Sequence, residues 1–231
     1  MSEQPPSAIE AVVFDIGGVL LDWDPRHLYR KLFEDEEAMN RFLEQVCTME
    51  WHARHDLGHP VEKSCEDLAA AHPEHAEMVR AWGRRSEEMV AGPIQGTVEI
   101  LEDLRFAGVR CYTVTNMERE TYPRRVARYP FLDWFEGAVV SGFEGVVKPD
   151  PRIFELLLSR FELRASSTLF IDDSAANVEA ARSLGMQAVR FTSPAQLRPE
   201  LERMGLLAPR RAPAAPEGAS ADPRDVTAQN H

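Results

Sequence analysis

The sequence predicts an α/β protein on a parallel sheet, interrupted after its first strand by a helical insertion. Three observations carry this prediction. The apolar run AVVF ends at a lone acid, Asp15, and two glycines follow at once. Residues 25–92 show apolar spacing of helical period and little that reads as strand. From residue 93 onward helical and strand-like segments alternate, as they do when helices cross between neighbouring parallel strands.

The first strand lies around residues 12–14, with its glycine turn directly behind. In the insertion, HLYRKLF, AMNRFLEQV and HAEMVRAWGRRSEEMV carry helical spacing, with breaks at Gly58, Pro60 and Pro73. TVEILEDLRFAG then reads as an amphipathic helix stopped by Gly108 and followed by the strand VRCYTVTN. GAVVSG is a short strand. Asp150 and Pro151 suit the cap and first turn of the helix PRIFELLLSRF. STLFIDD is a further strand, SAANVEAARSLG a helix closed by Gly185, and QAVRF the last strand. After about Leu207 the chain is rich in Pro, Ala and polar residues, too poor in apolar area to offset its chain entropy, and is expected to be disordered.

At 231 residues there is length for one α/β domain with an insertion or for two small domains. A formal net charge of −12 argues against nucleic acid as a partner. No apolar run approaches the roughly 18 residues of a spanning helix, so no membrane association is expected. The N-terminal MSEQPPSAIE lacks the basic and apolar regions of a signal peptide, and a cytoplasmic location follows as the expectation. Cys47, Cys65 and Cys111 form no CxxC pair and are expected to be reduced packing residues.

Ligands of open parallel sheets bind beyond the carboxyl ends of the strands. Asp15, Thr115 with Asn116, Lys148, and Asp172 with Asp173 all fall at or just after such ends. Carboxylates gathered there cannot all ionise without a counter-charge. Mg²⁺ takes hard oxygen ligands and suits two or three carboxylates plus a phosphate oxygen. Lys148 and Thr115 would hold the remaining phosphate oxygens, and Asp15 would attack phosphorus to form an aspartyl-phosphate. In the insertion, His52, His55 and His59 are interrupted by Gly58 and Pro60, which argues against a zinc site. The pairs Arg84–Arg85 and Arg124–Arg125 read as solvated faces.

VVFDIGGVLLD, YTVTN, VVKPDPRIF and LFIDDSAANVEAARSLGM, taken together, resemble the motifs of the haloacid dehalogenase-like superfamily, in its helical-cap, phosphatase-like branch. The resemblance covers about residues 10–195. It implies a Rossmann-like sheet with helices on both faces, formed by residues 10–24 and 93–207. Residues 25–92 would be a helical cap, and 208–231 the tail. It further implies Asp15 as nucleophile, with Thr115, the Asn116 backbone and Lys148 on phosphate. Asp15, the Gly17 carbonyl and Asp173 would hold Mg²⁺, with Asp172 beside them. Trp51, His55 and Asp56 would lie near the cleft between cap and core and read the rest of the substrate.

The chain departs from the family pattern at Gly17, where family phosphatases usually carry a second aspartate that protonates the leaving group and then activates water. Glycine offers a carbonyl and, lacking Cβ, close backbone approach, but no acid–base group. Asp22, Asp24, a cap residue or water would have to substitute. The expectation is a phosphatase of small phosphorylated metabolites, such as sugar phosphates. The alternatives are a catalytically impaired phosphate-binding or regulatory protein and, ranked below it, a metal-independent 2-haloacid dehalogenase. The sequence leaves the oligomeric state open.

Overall fold

The structure is a computed structural model that describes residues 8–209, so the tail expected over 208–231 lies outside the described residues from position 210 onward. Five parallel strands form the central sheet: β1 (Ala11–Phe14), β4 (Arg110–Thr115), β5 (Gly137–Val140), β6 (Thr168–Asp172) and β7 (Gln187–Arg190), in the order β5-β4-β1-β6-β7. β2 (Leu21–Trp23) and β3 (Val90–Pro93) pair with each other in a separate antiparallel ribbon.

The pleat divides each strand between two apolar layers. Val12 and Phe14 pack with α6 (Gln95–Phe106), α7 (Thr121–Arg128) and α11 (Pro194–Arg203). Ala11 and Val13 face the opposite layer, with α9 (Pro151–Arg160) and α10 (Ala175–Ser183). The sheet is thus covered on both faces, which is why its strands read as continuous apolar runs. Helix boundaries follow local chemistry. The Asp150 side chain accepts from the Arg152 N–H at 3.0 Å, ahead of Pro151 at the first position of α9. Gly108 follows α6 with φ +77°, a left-handed conformation that a side chain would strain.

Between β2 and β3 lie α1 (Arg26–Tyr29), α2 (Glu36–Gln45), α3 (Met49–Asp56), α4 (Val61–Ala71) and α5 (Ala76–Arg84). They enclose their own apolar cluster, including Tyr29, Phe42, Trp51 and Trp82. The helix read through HAEMVRAWGRRSEEMV stops at Arg84, and Ser86–Met89 form a 3₁₀ turn instead. The chain has to turn there to enter β3, whose ladder begins where the Asp24 N–H donates to the Met89 carbonyl at 2.9 Å. Within the insertion α3 and α4, and elsewhere α7, the one-turn helix α8 (Ser141–Glu144) and α11, were not among the individually predicted elements.

Candidate active site

β4, β1 and β6 are adjacent and parallel, so their carboxyl ends share one edge of the sheet. From β1 the chain winds outward to β4 and β5, and from β6 it winds the other way to β7. The loops after β1 and β6 therefore diverge and leave a crevice between them. Asp15 follows β1, Thr115 ends β4 and Asp172 ends β6. Lys148 reaches the crevice from the loop between α8 and α9.

The Lys148 ammonium stands 2.9 Å from Asp15 Oδ1 and 2.7 Å from Asp172 Oδ2, with all three residues buried. Burial pushes the Asp15 carboxyl up to about 7, with Lys148 pulling down and Asp172 pushing up. Burial opposes the charge on Lys148, but Asp15 and Asp172 offset it and hold the ammonium above its ordinary range. Asp172 is fixed in turn: it accepts from the Ser174 N–H at 2.8 Å and from Asn177 Nδ2 at 3.0 and 3.1 Å. The Asn116 side chain clamps the Lys148 backbone, accepting its N–H at 2.8 Å and donating to its carbonyl at 3.0 Å. Sequence reasoning assigned only the Asn116 backbone and missed Ser174 and Asn177. Their signal was the position of both residues at the start of a helix directly after a strand-end acid.

Asp15, Asp172 and Asp173 each offer a carboxylate oxygen, and these lie within 4.8 Å of one another. Burial first and Asp172 second raise the Asp173 carboxyl, with Lys148 opposing. Hard oxygen donors at this spacing fit Mg²⁺. Asp172 is already occupied by Lys148, Ser174 and Asn177, so Asp15 and Asp173 are the carboxylates that would hold the ion. The glycine turn differs from expectation. A Cβ on Gly17 would meet nothing within 4 Å, whereas one on Gly18 would lie 2.5 Å from Asp173 Oδ2. Close approach belongs to Gly18, because that residue faces Asp173 and takes φ +71°.

The crevice opens into a cavity of about 330 Å³ walled by Asp15, Gly17, Gly18, Asn116 and Asp173 on the sheet side. Trp23, His52, Asp56 and Trp82 form the facing wall, with Glu118 and Arg125 at the side. Thr115, Lys148 and Asp172 are buried and not part of this wall. Of the three insertion residues expected at the cleft, Asp56 lines it. Trp51 and His55 do not: the two rings pack edge-on against each other with centroids 4.5 Å apart, held inside the helical cluster. His52 was missed; it stacks on Trp23 at 5.2 Å between centroids and brings its ring to the cavity. Asp22 pairs with His27 at 3.0 Å in an exposed contact, and Asp24 accepts from the Arg26 N–H at 2.8 Å just ahead of α1. Neither acid reaches the wall.

Arg125 corrects the reading of Arg124–Arg125 as a solvated face. It is 3% exposed and its guanidinium stands 2.5 Å from Glu87 Oε2, tying α7 to the turn before β3. His52, His55 and Glu118 also bring ring nitrogens and a carboxylate oxygen within 4.8 Å of one another, while His59 is exposed and apart from them. Burial lowers both His52 and His55 to about 4, so both rings are neutral at neutral pH. Among the described residues, no helix is long and apolar enough to cross a membrane.

Fold and site together define a cluster of three acids around a buried lysine at the switch point of a parallel α/β sheet. The haloacid dehalogenase-like hydrolase family model matches residues 9–185, and the chain belongs to that family. Sesquiterpene phosphatase astK of Aspergillus oryzae is 25% identical over 198 residues, spanning 80% of this chain and 91% of that protein. A phosphorylated carbohydrates phosphatase of Thermotoga maritima is 26% identical over 190 residues, spanning 78% and 84%. Among solved structures, a family enzyme of Bacteroides thetaiotaomicron in complex with magnesium and inorganic phosphate superposes with a TM-score of 0.62 at 17% identity, covering 80% of this chain and 96% of that one.

Proposed function

We propose that the protein is a Mg²⁺-dependent phosphatase of small phosphorylated metabolites that works through an aspartyl-phosphate on Asp15. One observation carries the reading. The Lys148 ammonium is shared by Asp15 and Asp172 at 2.9 and 2.7 Å, and Asp15 with Asp173 lines a cavity that admits a small molecule. Asp15, Asp173 and the Gly17 carbonyl would hold Mg²⁺, which would supply charge neutralisation for an incoming phosphate. Asp15 is the nucleophile, and Lys148 offsets negative charge on the transferring group. The Thr115 hydroxyl and the Asn116 backbone complete the phosphate cradle, while the Asn116 side chain holds Lys148 in place. Residues 25–92 act as a cap whose Trp82 and His52, together with Trp23 of β2, meet the remainder of the substrate, a sugar or other compact organic group.

The test is phosphate release from a panel of phosphomonoesters with and without Mg²⁺, by wild type and by Asp15→Asn. Mg²⁺-dependent release lost in the variant is expected. Undiminished turnover by Asp15→Asn would sink the covalent route. A silent panel with inorganic phosphate still bound would replace the enzyme by a binding protein, and halide release from a 2-haloacid without Mg²⁺ would replace it by a dehalogenase.

A further inference from the structure

We propose that Asp56, delivered from the helical insertion, is the proton carrier of this site: its carboxyl group protonates the leaving oxygen, and its carboxylate then takes a proton from the attacking water. The proposal rests on the phosphatase reading above and supplies the acid–base group that Gly17 lacks.

The geometry is specific to this acid. Asp56 is 7% exposed and lines the cavity opposite Asp15 and Asp173. Its Oδ1 is buried with no hydrogen-bond partner among the described residues, and Oδ2 comes no nearer than 3.8 Å to His52 Nε2. A buried, unpartnered carboxyl oxygen on a residue that lines a substrate cavity is costly unless the group is protonated or a ligand satisfies it. Asp56 is also the last residue of α3, where the carbonyl end of the helix disfavours negative charge.

The charged and titratable groups around Asp56 come from four elements: His52 on α3, Glu118 after β4, Asp15 after β1 and Lys148 before α9. Burial, then repulsion from Glu118 and Asp15, hold the Asp56 carboxyl well above the ordinary range, with Lys148 opposing. Its surroundings therefore favour the protonated acid that the first step needs. Glu118, the other carboxylate on the side wall, lies within 4.0 Å of His52 and shows no comparable unpartnered oxygen.

The steps balance. An Asp15 oxygen forms a bond to phosphorus as the bond from phosphorus to the ester oxygen breaks, and that oxygen takes the Asp56 proton and leaves as an alcohol. Water then loses a proton to the Asp56 carboxylate as its oxygen bonds to phosphorus and the Asp15–phosphorus bond breaks. Inorganic phosphate departs and Asp56 is protonated again.

Leaving-group dependence separates this role from a structural one. Wild type, Asp56→Asn and Glu118→Gln are compared on p-nitrophenyl phosphate, whose leaving group needs no proton, and on an alkyl phosphate, whose leaving group does. Asp56→Asn is expected to lose about 10²- to 10⁴-fold on the alkyl ester. On the aryl ester it is expected to form the phospho-enzyme within about tenfold of the wild-type rate and release a burst of p-nitrophenol, because water attack is slowed. Gly17→Asp in the Asp56→Asn background is expected to recover part of the alkyl turnover, since a side chain at position 17 meets no neighbour. An equal loss in the rate of phospho-enzyme formation on both esters, no loss on either, or the leaving-group effect appearing in Glu118→Gln instead would overturn the proposal while leaving the phosphatase reading intact. Wild-type turnover that survives Asp15→Asn would overturn the reading on which it rests.

Discussion

A Cβ built on Gly18 would stand 2.5 Å from Asp173 Oδ2, so the turn after β1 and the acid after β6 compete for the same space. Gly18→Ala is expected to turn the Asp173 carboxylate away, because a side-chain tip yields more cheaply than backbone. The left-handed φ of +71° adds roughly 1 kcal/mol of strain. Mg²⁺ affinity, followed by calorimetry, should fall at least about tenfold, while thermal stability changes little. Gly17→Ala, in open space, should leave both nearly unchanged.

Asn116 holds Lys148 by two hydrogen bonds between its amide and the Lys148 backbone. Asn116→Ala removes both and is expected to cost about 2 kcal/mol in urea unfolding. Because Lys148 then loses its register against Asp15, kcat should fall more than KM rises. A change confined to KM would show that Asn116 only contacts substrate.

Buried histidines set an acid limit. The unfolded His55 ring takes a proton below about pH 6.5, but in the folded chain burial delays this to about 4. The stability that neutral His55 retains at pH 7 is therefore lost as pH falls from 6.5 to 4, at up to roughly 1.4 kcal/mol per pH unit. Asp56 acts with the opposite sign, since its raised value costs stability as pH rises above the unfolded range. His55→Leu isolates the histidine. Its melting temperature relative to wild type should climb as pH is lowered from 7 to 4.5, and a constant difference would contradict the buried neutral ring.

The Arg125–Glu87 pair, at 2.5 Å, joins α7 of the sheet layer to the turn that leads out of the insertion. Arg125→Gln leaves the partly buried Glu87 with Arg128 at 3.3 Å and is expected to cost about 2 kcal/mol. Arg128 is more than half exposed, and Arg128→Gln should cost less than about 1 kcal/mol by the same denaturation measurement.

The five sheet strands were legible because each is short, apolar and followed by a polar or glycine-rich end, the mark of a strand buried on both faces. Helix α7 was not, because TYPRRVAR offers only Tyr122 and Val126 as an apolar strip and buries Thr121 and the paired Arg125 beside them. β2 and β3 escaped notice because three- and four-residue strands form only through pairing with each other across the whole insertion. At the site, Asp15, Lys148 and Asp172 stood out as polar residues at strand ends. Asp56 was placed near the cleft by the resemblance, with a reading role rather than an acid–base one, while His52 stood among other polar residues of the insertion.

The sequence by itself determined the α/β order, the place of the insertion and the identity of the polar groups at the strand ends. Periodicity and turn chemistry are local properties and are written into consecutive residues. Only the tertiary structure decided which acids share a cavity. It sent Asp22 and Asp24 to surface contacts, turned Trp51 and His55 inward and brought Asp56 to face Asp15. Those outcomes depend on how the insertion seats against the sheet, a relation between distant segments that no local pattern encodes.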